Sequence, residues 1–395
     1  MKNLIELTKQ NKKIAIGLMS GTSLDGVDVA LLEIEGNSIN TKLNLLGFLE
    51  YPFPEGVKIE ILKNSAKQTS NVESISQLNF LIPNIYFDAI KTLCNDLNFP
   101  IGNIDLIGTH GQTIQHLPKK KNYFGYDISS TLQIGDPAVL AKLSGIVTVG
   151  DFRTGDVALG GEGAPLIPYF DYIIFHSKEK NRALLNIGGI SNFTILNKEM
   201  SLENVLAFDT GPGNMLIDTL TKKLFNKNFD KDGKLARAGK LSKELFEALK
   251  QQDDFIEKSP PKSTGREYYG EQFLEPLLKK FTNLPKNDWL HTVTKFTAYA
   301  VYRNYEKFVK EETEIDELII SGGGAKNIFL YECLHNEFGK DVEIKVIDDI
   351  GISSDAKEAI CFAVLANETV AGIPTNIPRT TGAKRATVLG KICLP

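Results

Sequence analysis

Runs of apolar, β-branched residues alternate with small polar turns along this chain. Ile14 to Met19 and Val27 to Ile34 are two such runs. Between them, Ser20, Gly21, Thr22, Ser23, Asp25, Gly26 and Asp28 make a centre that is nearly all small or acidic. That pattern predicts strand, turn, strand. Leu43 to Tyr51 is a further strand, and Val57 to about Leu97 is helical. Ile104 to Thr109 is a short buried strand leading into His110-Gly-Gln-Thr113. Gln115 to Thr131 reads as a long loop or hairpin. Asp136-Pro-Ala-Val-Leu-Ala-Lys-Leu143 reads as a helix with an Asp cap and Pro at its first position. Ile146 to Gly150 is again a strand ending at glycine, followed by Asp151-Phe-Arg153. Strands alternating with helices give an α/β class.

The theme then restarts. Ala183 to Leu196 repeats strand, small turn (Gly188, Gly189) and strand through Asn192. Val205 to Asp209 is a strand that runs into Thr210-Gly-Pro-Gly-Asn214 and a helix through Leu220. Glu317 to Ser321 is a strand entering Gly322-Gly-Gly324, with a helix from Asn327. Two halves opening on the same motif predict a duplicated, two-domain architecture with a cleft between.

Composition narrows the functional classes. The chain has 395 residues, 42% of them hydrophobic, and a formal net charge of −4, which gives no electrostatic case for nucleic acid or a membrane surface. Met1 to Lys13 lacks the apolar centre of a signal peptide, and no run is apolar long enough to span a bilayer. The four cysteines, Cys94, Cys333, Cys361 and Cys393, form no CxxC pair. A reduced, cytoplasmic protein is expected.

Taken alone, the opening turn is equally a phosphate cradle or an ordinary hairpin loop. Rival nucleotide motifs are missing: no Gly-Lys pair is followed by Ser or Thr, and the first glycine-rich turn leads into a strand where a Rossmann unit needs a helix. Three small-residue turns that each follow an apolar strand remain, at Gly21 to Asp28, Gly188 to Asn192 and Gly322 to Gly324, with Asp209 beside a fourth. Together they favour a ligand cleft.

Longer blocks carry a family resemblance. Ser20-Gly-Thr-Ser-Leu-Asp-Gly26, Gly108-Thr-His-Gly-Gln-Thr113, Gln133-Ile-Gly-Asp-Pro137, Asp151-Phe-Arg153, Gly160-Gly-Glu-Gly-Ala-Pro165, Asn186-Ile-Gly-Gly189, Phe208-Asp-Thr-Gly-Pro-Gly-Asn214 and Pro261-Lys-Ser-Thr-Gly-Arg266 occur in order. In that order they resemble anhydro-N-acetylmuramic acid kinases from about Ile16 to about Leu389. Glu162 departs from the pattern, standing where Gln is expected. The resemblance implies an α/β fold of two RNase-H-like (actin-like ATPase) domains, with an interdomain nucleotide and substrate cleft. The domains are expected at 1–145 and 146–395, the last residues packing back on the first.

The resemblance further implies an ATP-dependent kinase that hydrolytically opens the 1,6-anhydro ring of an amino sugar and phosphorylates O6. Gly21, Thr22, Ser23, Leu24, Asp25, Gly26, Val27 and Asp28 would form the first phosphate hairpin. Gly188, Gly189 and Asn192 belong to the second, and Gly322, Gly323 and Gly324 lie against the adenosine. Asp209 matches the base that draws a proton from water. Mg²⁺ is expected beside Asp25 and Asp28, whose carboxylates would otherwise repel phosphate. Thr22, Thr109, His110 and Glu358 are expected to contact the sugar, and Arg153 the sugar or the γ-phosphate. A cytoplasmic homodimer in cell-wall recycling is implied. Two rival readings are a phosphohydrolase on the same fold and a sugar- and ATP-binding regulator without catalysis.

Overall fold

The computed structural model describes residues 4–21 and 24–395. It divides into two compact units, Met1–Ile174 with Asp355–Pro395, and Phe175–Ser354. The division therefore falls at 174/175 and again at 354/355, where the sequence placed a single boundary at 145/146. Short-range pattern could not find this. Residues 147–150 form a strand whose neighbours come from residues 106–109 and 391–393, so the sheet that holds it belongs to the first unit.

The first unit contains β1 (Lys12–Met19), β2 (Gly26–Glu35), β3 (Lys42–Pro52), β4 (Leu106–Thr109), β5 (Gln112–Tyr123), β6 (Tyr126–Ile134) and β7 (Val147–Gly150). The second contains β8 (Arg182–Ile187), β9 (Ile190–Leu196), β10 (Leu206–Pro212), β11 (Glu317–Ser321) and β12 (Glu343–Val346); β13 (Lys391–Cys393) returns to the first. The larger sheet has the order β13-β7-β4-β1-β2-β3, and the second unit's sheet the order β10-β9-β8-β11-β12. In both, the first three strands of the unit run antiparallel to their neighbours and the next two join in parallel. Leaving β13 aside, the two sheets share one topology, that of an RNase-H-like unit. β5 and β6 form a separate two-stranded hairpin, the second of the two forms expected for Gln115 to Thr131.

Local chemistry explains the elements. Helix Pro137–Ser144 starts at Asp136, whose carboxylate accepts from the Ala138 N–H, and stops at the left-handed Gly145. Helix Val72–Asp96 is capped by the Asn71 side chain and lays Leu78, Ile82, Ile85, Ala89 and Leu93 on the first unit's core. The i, i+3, i+4 spacing of those residues makes one buried stripe.

The closest packing in the first unit lies between its sheet and helix Lys357–Ala371. Gly17 and Gly108 are paired across the parallel β1–β4 ladder. A Cβ on Gly17 would run into the Ala359 carbonyl oxygen, and one on Gly108 into that of Phe362. Glycine at both points, with Ala359, Ala363 and Ala366 on the helix, lets backbone meet backbone. The helix that carries Glu358 is seated by this contact.

Candidate functional site

In the first unit, the β1–β2 turn leads a set of residues joined by hydrogen bonds. Thr22 and Ser23 lie outside the described residues. Leu24 and Val27 bury their side chains in the core, so only their backbone is available to a phosphate. Gly26 lies so close to Tyr51 of β3 that a Cβ there would strike its carbonyl oxygen. Asp25 is exposed and pairs with Lys58 at 2.5 Å. Of the two carboxylates named for Mg²⁺, Asp28 alone has no hydrogen-bond or ion-pair partner among the described residues. Burial and the negative charges of Glu50, Glu358 and Asp355 push its pKa up to about 7.

Ser20 was not among the predicted site residues, yet it ties this turn to the β4–β5 turn. Its Oγ lies 2.6 Å from the buried Tyr86 hydroxyl and donates to the Gly111 carbonyl oxygen at 3.2 Å. The same oxygen lies 2.8 Å from Nδ1 of His110, while Nε2 of His110 accepts from Arg153 Nε at 3.0 Å. Arg153 has no lone pair to offer, so Nε2 is the acceptor and Nδ1 carries the proton. Burial and the Arg153 charge lower the His110 pKa to about 3. The imidazole is a neutral clamp on the guanidinium. ¹⁵N-correlated NMR of the free protein is expected to show the Nδ1–H tautomer unchanged from pH 5 to pH 8, and a titration near 6.5 would refute the arrangement.

Arg153 also donates through Nη1 to the Gly163 carbonyl oxygen at 3.0 Å, and its other N–H groups have no partner among the described residues. Asp156 holds the same residue through its N–H. Its Oδ2 accepts from Gly163 N at 2.7 Å, and its Oδ1 accepts from Asn376 and Thr381 at 2.7 Å each. Thr109 is buried and accepts from Gly111 N at 3.2 Å. Glu358 is exposed, and Phe362 one turn further along its helix packs on the His110 ring at 5.0 Å. Surrounding protein raises the Glu358 pKa against the pull of Lys357 and Arg153. Thr109, His110, Arg153 and Glu358 thus all belong to the first unit.

In the second unit, Asp209, Asn192, Asn186 and Ser321 stand in register across β10, β9, β8 and β11. Residues in register share a face, so these four make a polar row across the sheet. The β10 register shifts between Asp209 and Gly211, and such a bulge re-aims the side chain beside it. Asp209 is half-buried; its Oδ2 accepts from Thr264 N at 2.8 Å and its own N–H donates to the Lys262 carbonyl oxygen at 3.1 Å. Burial raises its pKa to about 6, opposed by the Thr264 hydrogen bond and the Lys262 charge.

Lys262 has no catalytic geometry. Its Nζ donates to the carbonyl oxygens of Phe255 and Ile256 at 3.1 and 3.0 Å, and lies over the Phe255 and Phe308 rings at 4.8 and 4.9 Å. It anchors the segment that presents Thr264 to Asp209, and its contact with the Phe308 ring, far along the chain, is one that no local pattern reveals.

The Gly188–Gly189 turn and the Gly322–Gly324 turn are neighbours. A Cβ on Gly322, which has φ +80°, would meet Asn186 Oδ1 at 2.6 Å and the Ile187 carbonyl oxygen at 2.8 Å. Gly188 and Gly189 accept from the N–H groups of Asn214 and Met215 at 2.8 and 3.0 Å, seating helix Met215–Phe225 on the same turn. Beside these glycines opens a pocket of about 460 Å³, with Asn214, Asp218, Phe229 and Gly323 in its wall. That volume is in the range of small-ligand sites.

The family model described as anhydro-N-acetylmuramic acid kinase matches residues 13–395. A protein of that name from Caldanaerobacter subterraneus subsp. tengcongensis is 46% identical over 399 residues, covering 100% of both chains. One from Bacillus cereus is 47% identical over 380 residues, covering 96% of this chain and 98% of the other. Among solved structures, component A of (R)-2-hydroxyglutaryl-CoA dehydratase from Acidaminococcus fermentans overlays with a TM-score of 0.46. It is 11% identical over 91% of this chain and 99% of that one, a likeness too slight to carry weight. On the full-length match of sequence, this chain belongs to the anhydro-N-acetylmuramic acid kinase family.

Proposed function

We propose that this protein uses ATP and water to convert 1,6-anhydro-N-acetylmuramic acid to N-acetylmuramic acid 6-phosphate and ADP, in peptidoglycan recycling. The observation that carries the reading is the seating of Asp209. A half-buried carboxylate held by one backbone N–H, with a pKa of about 6, is ionised at neutral pH and still basic enough to take a proton. Asp209 removes a proton from water, whose oxygen forms a bond to C1 of the sugar as the C1–O6 bond breaks. The freed O6 bonds to the γ-phosphorus of ATP, and the bond from that phosphorus to the bridging oxygen breaks to release ADP. O6 cannot accept phosphate until the bridge opens, which makes hydrolysis and transfer parts of one reaction.

For the nucleotide, the adjoining Gly188–Gly189 and Gly322–Gly324 turns and the pocket beside them support a phosphate and nucleoside site on the second unit. For the first unit, Arg153 is the natural oxyanion group, with free N–H donors on a guanidinium oriented by His110 and Gly163. Thr109, His110 and Glu358 complete the proposed sugar contacts. Among the described residues no three His, Cys, Asp or Glu side chains form a metal site. Mg²⁺ that travels with ATP phosphates needs only one or two protein carboxylates. Asp28 fits that demand, since its crowded negative surroundings favour a cation. Bound there, Mg²⁺ would supply neutralisation of phosphate charge. The cytoplasmic, homodimeric state is inferred from the family alone; among the described residues no helix is long and apolar enough to cross a membrane.

Turnover in ¹⁸O-labelled water with ATP, Mg²⁺ and the anhydro sugar tests the reading. Label at C1 of a sugar 6-phosphate is the expected result. Label in free phosphate would establish a phosphohydrolase instead, and nucleotide binding without turnover a regulator.

A further inference from the structure

The pocket of the second unit contains a charged group that no neighbour uses. Three aspartates lie in its wall, Asp218, Asp230 and Asp232. Asp230 accepts from the N–H groups of Leu235 and Ala236 at 2.9 Å each, and Asp232 pairs with Lys234 at 2.9 Å. Asp218 is half-buried and has no hydrogen-bond or ion-pair partner among the described residues. Burial and the nearby Asp230 charge leave its carboxylate poorly solvated, with a pKa raised to about 6. A carboxylate so placed lacks donors.

Its position says which donors. Asn214, at the start of the helix, marks the phosphate end of the pocket, because its N–H is bonded to the Gly188 carbonyl oxygen in the glycine turn. Asp218 lies one turn further, its own N–H bonded to the Asn214 carbonyl oxygen at 2.7 Å. One turn is about 5.4 Å along the axis. Moving outward from phosphate by that distance reaches the sugar of a nucleotide, with the base beyond it, towards the 60% exposed Phe229 ring. Resting on the ATP reading above, we propose that Asp218 recognises the ribose, accepting hydrogen bonds from its vicinal 2′- and 3′-hydroxyls. A carboxylate is acceptor-only and can take both protons of a cis-diol. The kinase would on this account select ribonucleoside over deoxyribonucleoside triphosphates.

The test uses the full-length protein with ATP, 2′-deoxy-ATP and ITP, with ADP binding followed by calorimetry. A hydrogen bond to a charged group gives an expected preference of about tenfold or more in kcat/KM for ATP over 2′-deoxy-ATP. Asp218→Ala is expected to lower kcat/KM for ATP by more than that factor, through KM, and kcat/KM for 2′-deoxy-ATP, which keeps only the 3′-hydroxyl bond to lose, by less, so that the ratio falls towards one. Asp218→Asn, which keeps the shape and an acceptor oxygen, is expected to be intermediate and decides the matter if the alanine variant does not fold. Equal use of the two nucleotides by the parent protein, or a ratio that survives in both variants, overturns the assignment. So does a change confined to the ATP to ITP ratio, which would place Asp218 at the base. Failure of the parent protein to bind ADP overturns the nucleotide reading itself, whereas ADP binding with a surviving ratio overturns the Asp218 assignment alone.

Discussion

Asp209→Asn is expected to cut turnover by roughly 10²–10⁴-fold, the range attributed to a positioned general base, while ADP affinity stays within about twofold. Asparagine fills the same space and keeps an oxygen for the Thr264 N–H, so the segment anchored by Lys262 has no reason to move. What is lost is the basic lone pair. Folding should not suffer either. The Asp209 pKa is raised from 3.8 to about 6, so the folded protein holds the proton more tightly than the unfolded chain. Its charge therefore opposes folding above pH 6, and that penalty fades as pH falls from 6 towards 4. Removing it is worth on the order of 3 kcal/mol at most at neutral pH. The parent enzyme should also gain activity as pH rises through about 6, a limb that the residual activity of the variant should lack. A variant that kept most of its turnover would remove Asp209 from the role of base.

The second large effect is structural. Gly17→Ala is expected to cost about 3 kcal/mol or more, because the new methyl would overlap the Ala359 carbonyl oxygen and crowd the Ala363 nitrogen. A flexible side chain could step aside, but helix backbone cannot without shifting the whole helix Lys357–Ala371. That helix carries Glu358 and the Phe362 ring against His110, so sugar affinity should fall together with stability. Gly102→Ala is the matched control, since its methyl meets nothing within 4 Å and the expected change is within about 0.5 kcal/mol. Urea unfolding of the two variants separates them; equal midpoints would mean the sheet and helix are not packed as described.

Much of this was readable from residue order alone. The alternation of apolar runs with glycine turns located β1, β2, β8, β9 and β11, and Asp136-Pro137 announced its helix, because each of these signals is contained within a few residues. Asp209 stood out through the motif around it. The partners of these groups did not. Ser20 needs Tyr86, 66 positions away, and Asp156 needs Asn376, 220 positions away. Asp218 resembled any acidic residue in the first turn of a helix until Asp230 and Asp232 proved to be occupied elsewhere. The division at 174/175 and 354/355 has the same origin, for the place of Val147–Gly150 in the first unit's sheet rests on its ladders with β4 and β13.

The first unit's discontinuity also orders events during synthesis. A ribosome that has delivered residue 354 has supplied the whole of Phe175–Ser354, an unbroken segment with its own apolar core. At that moment the earlier sheet still has β7 as an open edge, and Gly17 and Gly108 face no helix. An unroofed face and an unpaired edge are what draw nascent chains into aggregates. The segment that covers both follows the second unit along the chain, so the first unit is begun before its neighbour and finished after it.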